Sequence, residues 1–183
     1  MIEPLLATNA DREGVVATVV AAFANDPAFR YFFGDDPDAR QIFAEYLFDL
    51  RADTASVWQI DGGASVAMWD PPSRPDGPGL PTSLPAGVRQ RLRGYDKAVH
   101  GAFPKSPFWY LGVLATHPLH AGRRLGRAVM QPGLDRARAD GVPAYLETAT
   151  AANVGLYERS GWQVTQQLTV EGLDVWILRQ LLD

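Results

Sequence analysis

A mixed α/β domain of six or seven strands and four or five helices is the fold class that this sequence predicts. Three observations carry it. Short β-branched and aromatic runs alternate with longer runs of helical period along the chain. Two glycine turns, Asp61-Gly62-Gly63 and Glu171-Gly172, each separate a pair of such runs and read as hairpins. A hydrophobic strand over 110–116 passes through a Gly/Arg loop straight into a helix, the connection of an α/β unit.

The elements follow in order. Residues 3–7 form a first short strand. Thr8-Asn9-Ala10-Asp11 then signals a helix start, because a Thr or Asn side chain accepts orphan N–H groups of a first turn. Val15, Val16, Val19, Val20 and Phe23 recur at helical spacing and set that helix over 11–24. Asp26-Pro27 interrupts it, and Phe29, Tyr31, Phe32 and Phe33 follow in a short aromatic helical turn. A helix over 37–50 is expected to bury Ile42, Phe43, Tyr46, Leu47 and Leu50. The period then changes, with strands over 57–60 and 64–69 flanking the Asp-Gly-Gly turn. Pro71, Pro72, Pro75, Pro78, Pro81 and Pro85 forbid regular structure over 70–87, which reads as a surface loop within the domain. A helix over 88–100 precedes the strand that ends at Thr116. The helix after the Gly/Arg loop runs to Asp140 and stops at Gly141, with a bend expected at Pro132-Gly133. A strand over 144–148, a helix over 154–160 and a hairpin of 163–170 with 173–182 complete a single domain spanning 1–183.

Composition narrows the function classes. Hydrophobic content of 46% beside 21% charged residues is globular, which excludes disordered and fibrous chains. A net charge of −4 argues against a duplex nucleic-acid partner. The absence of cysteine removes disulfides, thiolate zinc sites and any acyl-cysteine intermediate. With only His100, His117 and His120, no histidine metal centre is expected. No apolar run reaches the ~18 residues of a membrane span, and no basic start leads into an apolar core. A cytoplasmic protein is therefore expected, and homodimer formation is left open.

The stretch from Tyr110 to Trp162 carries the chemistry. A small-residue loop at a helix start presents several unpaired backbone N–H groups to one point. The helix adds partial positive charge there, so the point suits a phosphate. The order strand, phosphate loop, helix, strand, Asn153, Tyr157 resembles the GNAT family of acetyl-CoA-dependent N-acetyltransferases. The family's signature, Gln/Arg-x-x-Gly-x-Gly/Ala, falls on Ala121-Gly122-Arg123-Arg124-Leu125-Gly126, with Ala121 for the Gln and Arg124 for the first Gly. A literal match, Arg123-Arg124-Leu125-Gly126-Arg127-Ala128, sits further on, but that register puts the phosphate loop inside the helix. Further runs are similar to the puromycin N-acetyltransferase type within the family. They include Ala22-Phe23-Ala24-Asn25-Asp26-Pro27, Pro107-Phe108-Trp109-Tyr110-Leu111, Gln131-Pro132-Gly133 and Gly141-Val142-Pro143-Ala144-Tyr145-Leu146-Glu147-Thr148.

The resemblance implies a mostly antiparallel sheet, splayed between its fourth and fifth strands, where acetyl-CoA lies. Leu114, Ala115 and Thr116 would meet its pantetheine arm through the main chain, and residues 121–126 together with Arg127 would hold the pyrophosphate. Asn153 matches a cofactor-contacting Asn, and equally suits an N-cap of the helix that follows. Tyr157 matches the family's general acid, although a core tyrosine is the alternative. A phenol (pKa ~10) giving its proton to a thiolate (thiol pKa ~8.5) is uphill by about 2 kcal/mol, so a strong hydrogen bond is the more plausible role. The acceptor amine must shed a proton, at a cost of about 4 kcal/mol for an alkylammonium near neutrality. Glu147, at the end of the fifth strand, is the first candidate base, with an ion-paired glutamate as the alternative. Asp26, Tyr31 and Trp69 are candidates for the acceptor pocket. The implied activity is direct acetyl transfer to a small-molecule amine in a ternary complex. A silent acyl-CoA-binding module and a protein-directed acetyltransferase stand as alternatives.

Overall fold

In the computed structural model, which describes residues 3–54, 56–73 and 77–180, the short β-rich runs become seven strands of one sheet. They are β1 (Leu5–Leu6), β2 (Val57–Ile60), β3 (Ser65–Asp70), β4 (Trp109–Thr116), β5 (Ala144–Thr148), β6 (Trp162–Val170) and β7 (Leu173–Gln180). The order is β1-β2-β3-β4-β5-β7-β6, and every neighbouring pair is antiparallel except β4 with β5. The expected mixed, mostly antiparallel sheet is therefore present. The first strand is shorter than expected. The last is described to Gln180, and its expected end at Leu182 lies outside the described residues.

Six α-helices, one more than expected, flank the sheet among the described residues: α1 (Arg12–Ala22), α2 (Pro27–Phe33), α3 (Pro37–Ala52), α4 (Ala86–Ala102), α5 (Leu125–Ala139) and α6 (Ala151–Glu158). Asp26 caps α2 by accepting from the N–H groups of Ala28 (2.9 Å) and Phe29 (3.0 Å), with Pro27 at the first helical position. The Asp61-Gly62-Gly63 turn takes φ values of 50°, 66° and 102°, so its glycines sit where a side chain would be strained.

One core packs α1, α2 and α3 on the face carrying Val57, Val66, Met68, Val113 and Ala115. A second packs α5 on the opposite face, over Trp58, Ala67, Trp69, Trp109 and Leu111. β4 thus changes sides partway along. Trp109 and Leu111 face α5, but Val113 and Ala115 face α1, although strict alternation would put all four on one side. The cause is a bulge at Gly112: Met68 pairs with Val113, Trp69 pairs with Leu111, and Gly112 is skipped. Helix α5 runs through Pro132 without a break. Beside it Gly133 lets the helix lie on Trp69, whose ring a Cβ at that position would overlap.

Candidate active site

Parallel pairing of β4 with β5 is confined to Trp109 with Ala144 and Tyr110 with Tyr145. Beyond Tyr110 the strands part. Leu114, Ala115 and Thr116 stay in register with Ala67, Val66 and Ser65 of β3, while their β5-facing edge has no ladder partner among the described residues. An open backbone edge of this kind accepts an extended ligand as an added strand.

At the end of that edge the chain turns into α5. The His117 N–H bonds the Ala64 carbonyl (2.9 Å), and Gly126 lies against the Thr116 hydroxyl, so the loop is pinned to the ends of β3 and β4. Gly122 has φ +80° and Arg124 has φ +60°, ψ +21°, the left-handed conformation. No side chain caps α5, so the N–H groups of its first turn are available to an anion. The helix begins at Leu125, which excludes the literal register that starts at Arg123. In the Ala121–Gly126 register, Arg124 occupies the place of the signature glycine and adopts the conformation that glycine favours, at a cost of about 1–2 kcal/mol. Arg123 is turned toward His120 (3.1 Å) and Asp61 (3.8 Å), and the Arg124 and Arg127 side chains make no ion pair among the described residues. Leu125 is buried, so only its main chain can serve a ligand.

The other end of the splay opens into a cleft of about 820 Å³. Glu147 lines it and accepts a hydrogen bond from the Tyr110 hydroxyl at 2.7 Å. Burial raises its pKa above the ordinary glutamate value, and the Tyr110 hydrogen bond and nearby His100 oppose the rise. The Tyr110 ring is held between Phe103 (5.3 Å) and His100 (5.8 Å). His100 in turn holds Asp96 at 2.9 Å, a contact that raises its own pKa against the effect of burial. Tyr157 also lines the cleft, and burial, reinforced by Glu147 and Asp26, pushes its phenol far above the ordinary value. It stays protonated near neutrality and so keeps a hydrogen to donate. At the cleft floor Arg51 pairs with Asp70 at 2.8 Å, and its guanidinium would lie 2.6 Å from any Cβ at Gly112.

The structure gathers Glu147, Tyr157, Asn153, Leu114 and Asp26 around this cleft. Asp26 also accepts from the Thr150 hydroxyl at 3.2 Å, joining α2 to the start of α6. Thr150, and not Asn153, is the N-cap of α6; Asn153 lies within the first turn, so the capping alternative for it is corrected. Trp69 is likewise corrected as a pocket residue: alternation along β3 puts it with Ala67 beneath α5, fully buried and on the opposite face from Val66 and Met68. Tyr31 does not line the cleft either, because its hydroxyl bonds Glu171 in the β6–β7 turn at 2.7 Å. The helical stripe of Phe43, Tyr46, Leu47 and Leu50, expected in the core, lines the cleft, while Ala39, Ala44 and Phe48 are the fully buried positions of α3. No sequence pattern gives Tyr110, Tyr95, His100 or Arg51 a place in the site. The only local sign of Tyr110 is a polar-tipped residue in an otherwise apolar strand.

A splayed β4–β5 pair with an uncapped helix at one end and a carboxylate–tyrosine cluster at the other is the architecture of an acyl-transfer domain. The chain belongs to the Acetyltransferase (GNAT) family, whose model matches residues 21–162. Among solved structures it is similar to a histone acetyltransferase HPA2 and related acetyltransferase from Corynebacterium glutamicum, at 27% identity and TM-score 0.71, covering 98% of this chain and 96% of that one. It shares its fold with arylalkylamine N-acetyltransferase 2 from Aedes aegypti, at 10% identity and TM-score 0.71, over 100% and 99% of the two chains. The same holds for the C-terminal condensation domain of Ebony in complex with beta-alanyl-dopamine, at 9% identity and TM-score 0.75, over 98% and 99%. No helix among the described residues is long and apolar enough to cross a membrane.

Proposed function

We propose that this protein is an N-acetyltransferase that moves an acetyl group from acetyl-CoA directly to the amine of a small molecule, in a ternary complex and in the cytoplasm. The residue runs quoted from the sequence resemble the puromycin N-acetyltransferase type and support this reading. The observation that carries the reading is the open β4 edge, flanked by the uncapped start of α5 on one side and Glu147 with Tyr157 on the other.

The residues present fit acetyl-CoA. The main chain of Leu114, Ala115 and Thr116 would receive the pantetheine arm as an added strand. The backbone of Ala121, Gly122, Arg123, Arg124, Leu125 and Gly126 would hold the pyrophosphate, with Arg124 and Arg127 adding charge. Asn153, half-buried in the cleft, would contact the same ligand. Bound there, acetyl-CoA supplies an activated acyl group that an uncharged amine attacks. Glu147 is the base that makes the amine uncharged: its burial raises its proton affinity toward the working pH, which is where a general base is most effective. Tyr110 orients that carboxylate. Tyr157 retains its proton and offers it as a hydrogen bond beside the splay.

Calorimetric titration with acetyl-CoA is the first test. Micromolar binding, weakened by a helix-start substitution such as Gly126→Asp, is expected. Undetectable binding by the native protein would sink the enzymatic reading.

A further inference from the structure

We propose that the acceptor is an aromatic monoamine: a primary amine on an aryl or indolyl body with no second positive charge. The inference deepens the acetyl-transfer reading and rests on its placing the amine at Glu147.

The walls of the cleft set the body of the ligand. Helix α3 has two apolar faces, and the one carrying Phe43, Tyr46 and Leu47 lines the cleft. Facing the same space are Phe29 and Phe32 of α2, Tyr95 of α4, and Phe108 just ahead of β4. Several of these rings already meet edge-on or tilted, Phe32 with Tyr95 at 4.9 Å and Phe29 with Phe43 at 6.0 Å, leaving the faces and edges that favour another aromatic ring. A polyhydroxylated amine lying along these rings would set hydroxyls against carbon surfaces that cannot hydrogen-bond them.

The charges set the number of amines. Four carboxylates line the cleft: Asp26, Asp70, Asp96 and Glu147. Asp70 holds Arg51, and Asp96 holds His100. Asp26 is engaged by two backbone N–H groups and the Thr150 hydroxyl. Glu147 alone meets the cleft with phenol contacts and no ion pair among the described residues, which answers to a single cation. At the rim the exposed Arg93 and Lys105 repel a second one.

The test runs a panel of 2-phenylethylamine, tryptamine, glucosamine, spermidine and a lysine peptide. It measures kcat/KM with acetyl-CoA and, separately, calorimetric binding of each amine to the protein without it. Expected is a preference of about 100-fold or more in kcat/KM for the aromatic monoamines. Binding of the same amines should weaken about tenfold in Phe43→Leu. Lys105→Glu, an exposed change with no bearing on folding, should narrow the margin over spermidine by about threefold. Preference for glucosamine, spermidine or the peptide overturns the inference while acetyl transfer stands. Phe43-sensitive binding of aromatic amines without turnover of any amine upholds the acceptor class and overturns acetyl transfer. Failure of the aromatic amines to bind or react overturns the inference.

Discussion

The two ends of the splay are built from different materials. At the start of α5 the groups proposed to bind are main-chain N–H donors, and the side chains around them have changed: Ala121 and Arg124 stand where the family signature has Gln or Arg and Gly. Arg124 still takes the left-handed conformation, so the backbone path survives the substitution. At the Glu147 end the groups proposed to act are side chains held by other side chains, with Tyr110 at 2.7 Å and Phe103 and His100 around the Tyr110 ring. A backbone site tolerates changes of residue type as long as φ and ψ are kept. A side-chain site is less tolerant, because the group that reacts must keep its own chemistry.

Substitutions at the two ends should therefore differ by orders of magnitude. The largest effect is expected for Glu147→Gln, a fall in kcat of about 10²–10⁴ with acetyl-CoA binding retained. The same change should raise thermal stability. Burial lifts the folded pKa of Glu147 above its unfolded value, so its contribution falls as pH rises from the ordinary glutamate range through the folded value. The glutamine variant lacks that loss, and its advantage in melting temperature should grow between pH 4 and pH 7. Asp26, raised for the same reason, leaves part of the pH dependence in both proteins.

Next in size, Tyr157→Phe should lower kcat by about 10² with little change in the acetyl-CoA Kd, as expected when one preorganised donor is removed. Tyr110→Phe is gentler, about tenfold near neutrality. Its diagnostic is the pH profile: the Tyr110 hydrogen bond favours the Glu147 carboxylate, so losing it raises that pKa further and moves the acidic limb of kcat/KM to higher pH. An unmoved limb would mean that Glu147 is not the titrating base. The smallest effect is at the backbone end. Arg124→Gly should stabilise by about 0.5–1 kcal/mol, the left-handed strain relieved less the entropy of glycine, and shift the acetyl-CoA Kd by no more than about threefold. A tenfold or greater shift would show that the Arg124 side chain carries the binding, and the contrast between the two ends would fail.

Strand and helix positions along this chain were legible because their signals are local. Valines at helical spacing, the Asp-Gly-Gly turn and the strand–loop–helix order each report on a few neighbouring residues. Glu147, Tyr157 and Asp26 could be named because they sit at recognisable places in that order, and all three reach the cleft. Trp69 misled because alternation in β3 splits its side chains between two buried faces, Ala67 and Trp69 toward α5 and Val66 and Met68 toward α1, and no local pattern says which face borders a cleft. The apolar stripe of α3 was read in part: Ile42, Phe43 and Leu47 pack against the core, but Phe43 and Leu47 also border the cleft with Tyr46 and Leu50, and a hydrophobic face reads the same whether a strand or a cleft covers it.

The chain's own order of residues was enough to specify most of the elements and the strand–loop–helix connection into α5, since each is written within a turn or a strand of its neighbours. Folding was needed to bring Tyr110 to Glu147 across 37 positions and Asp26 to Thr150 across 124. It also placed Arg51 beside the bulge, and it opened β4 from β5 after only two paired positions. Those features depend on burial and on contacts between distant segments, which raise a carboxylate's proton affinity and shape a cleft, and which no local pattern encodes.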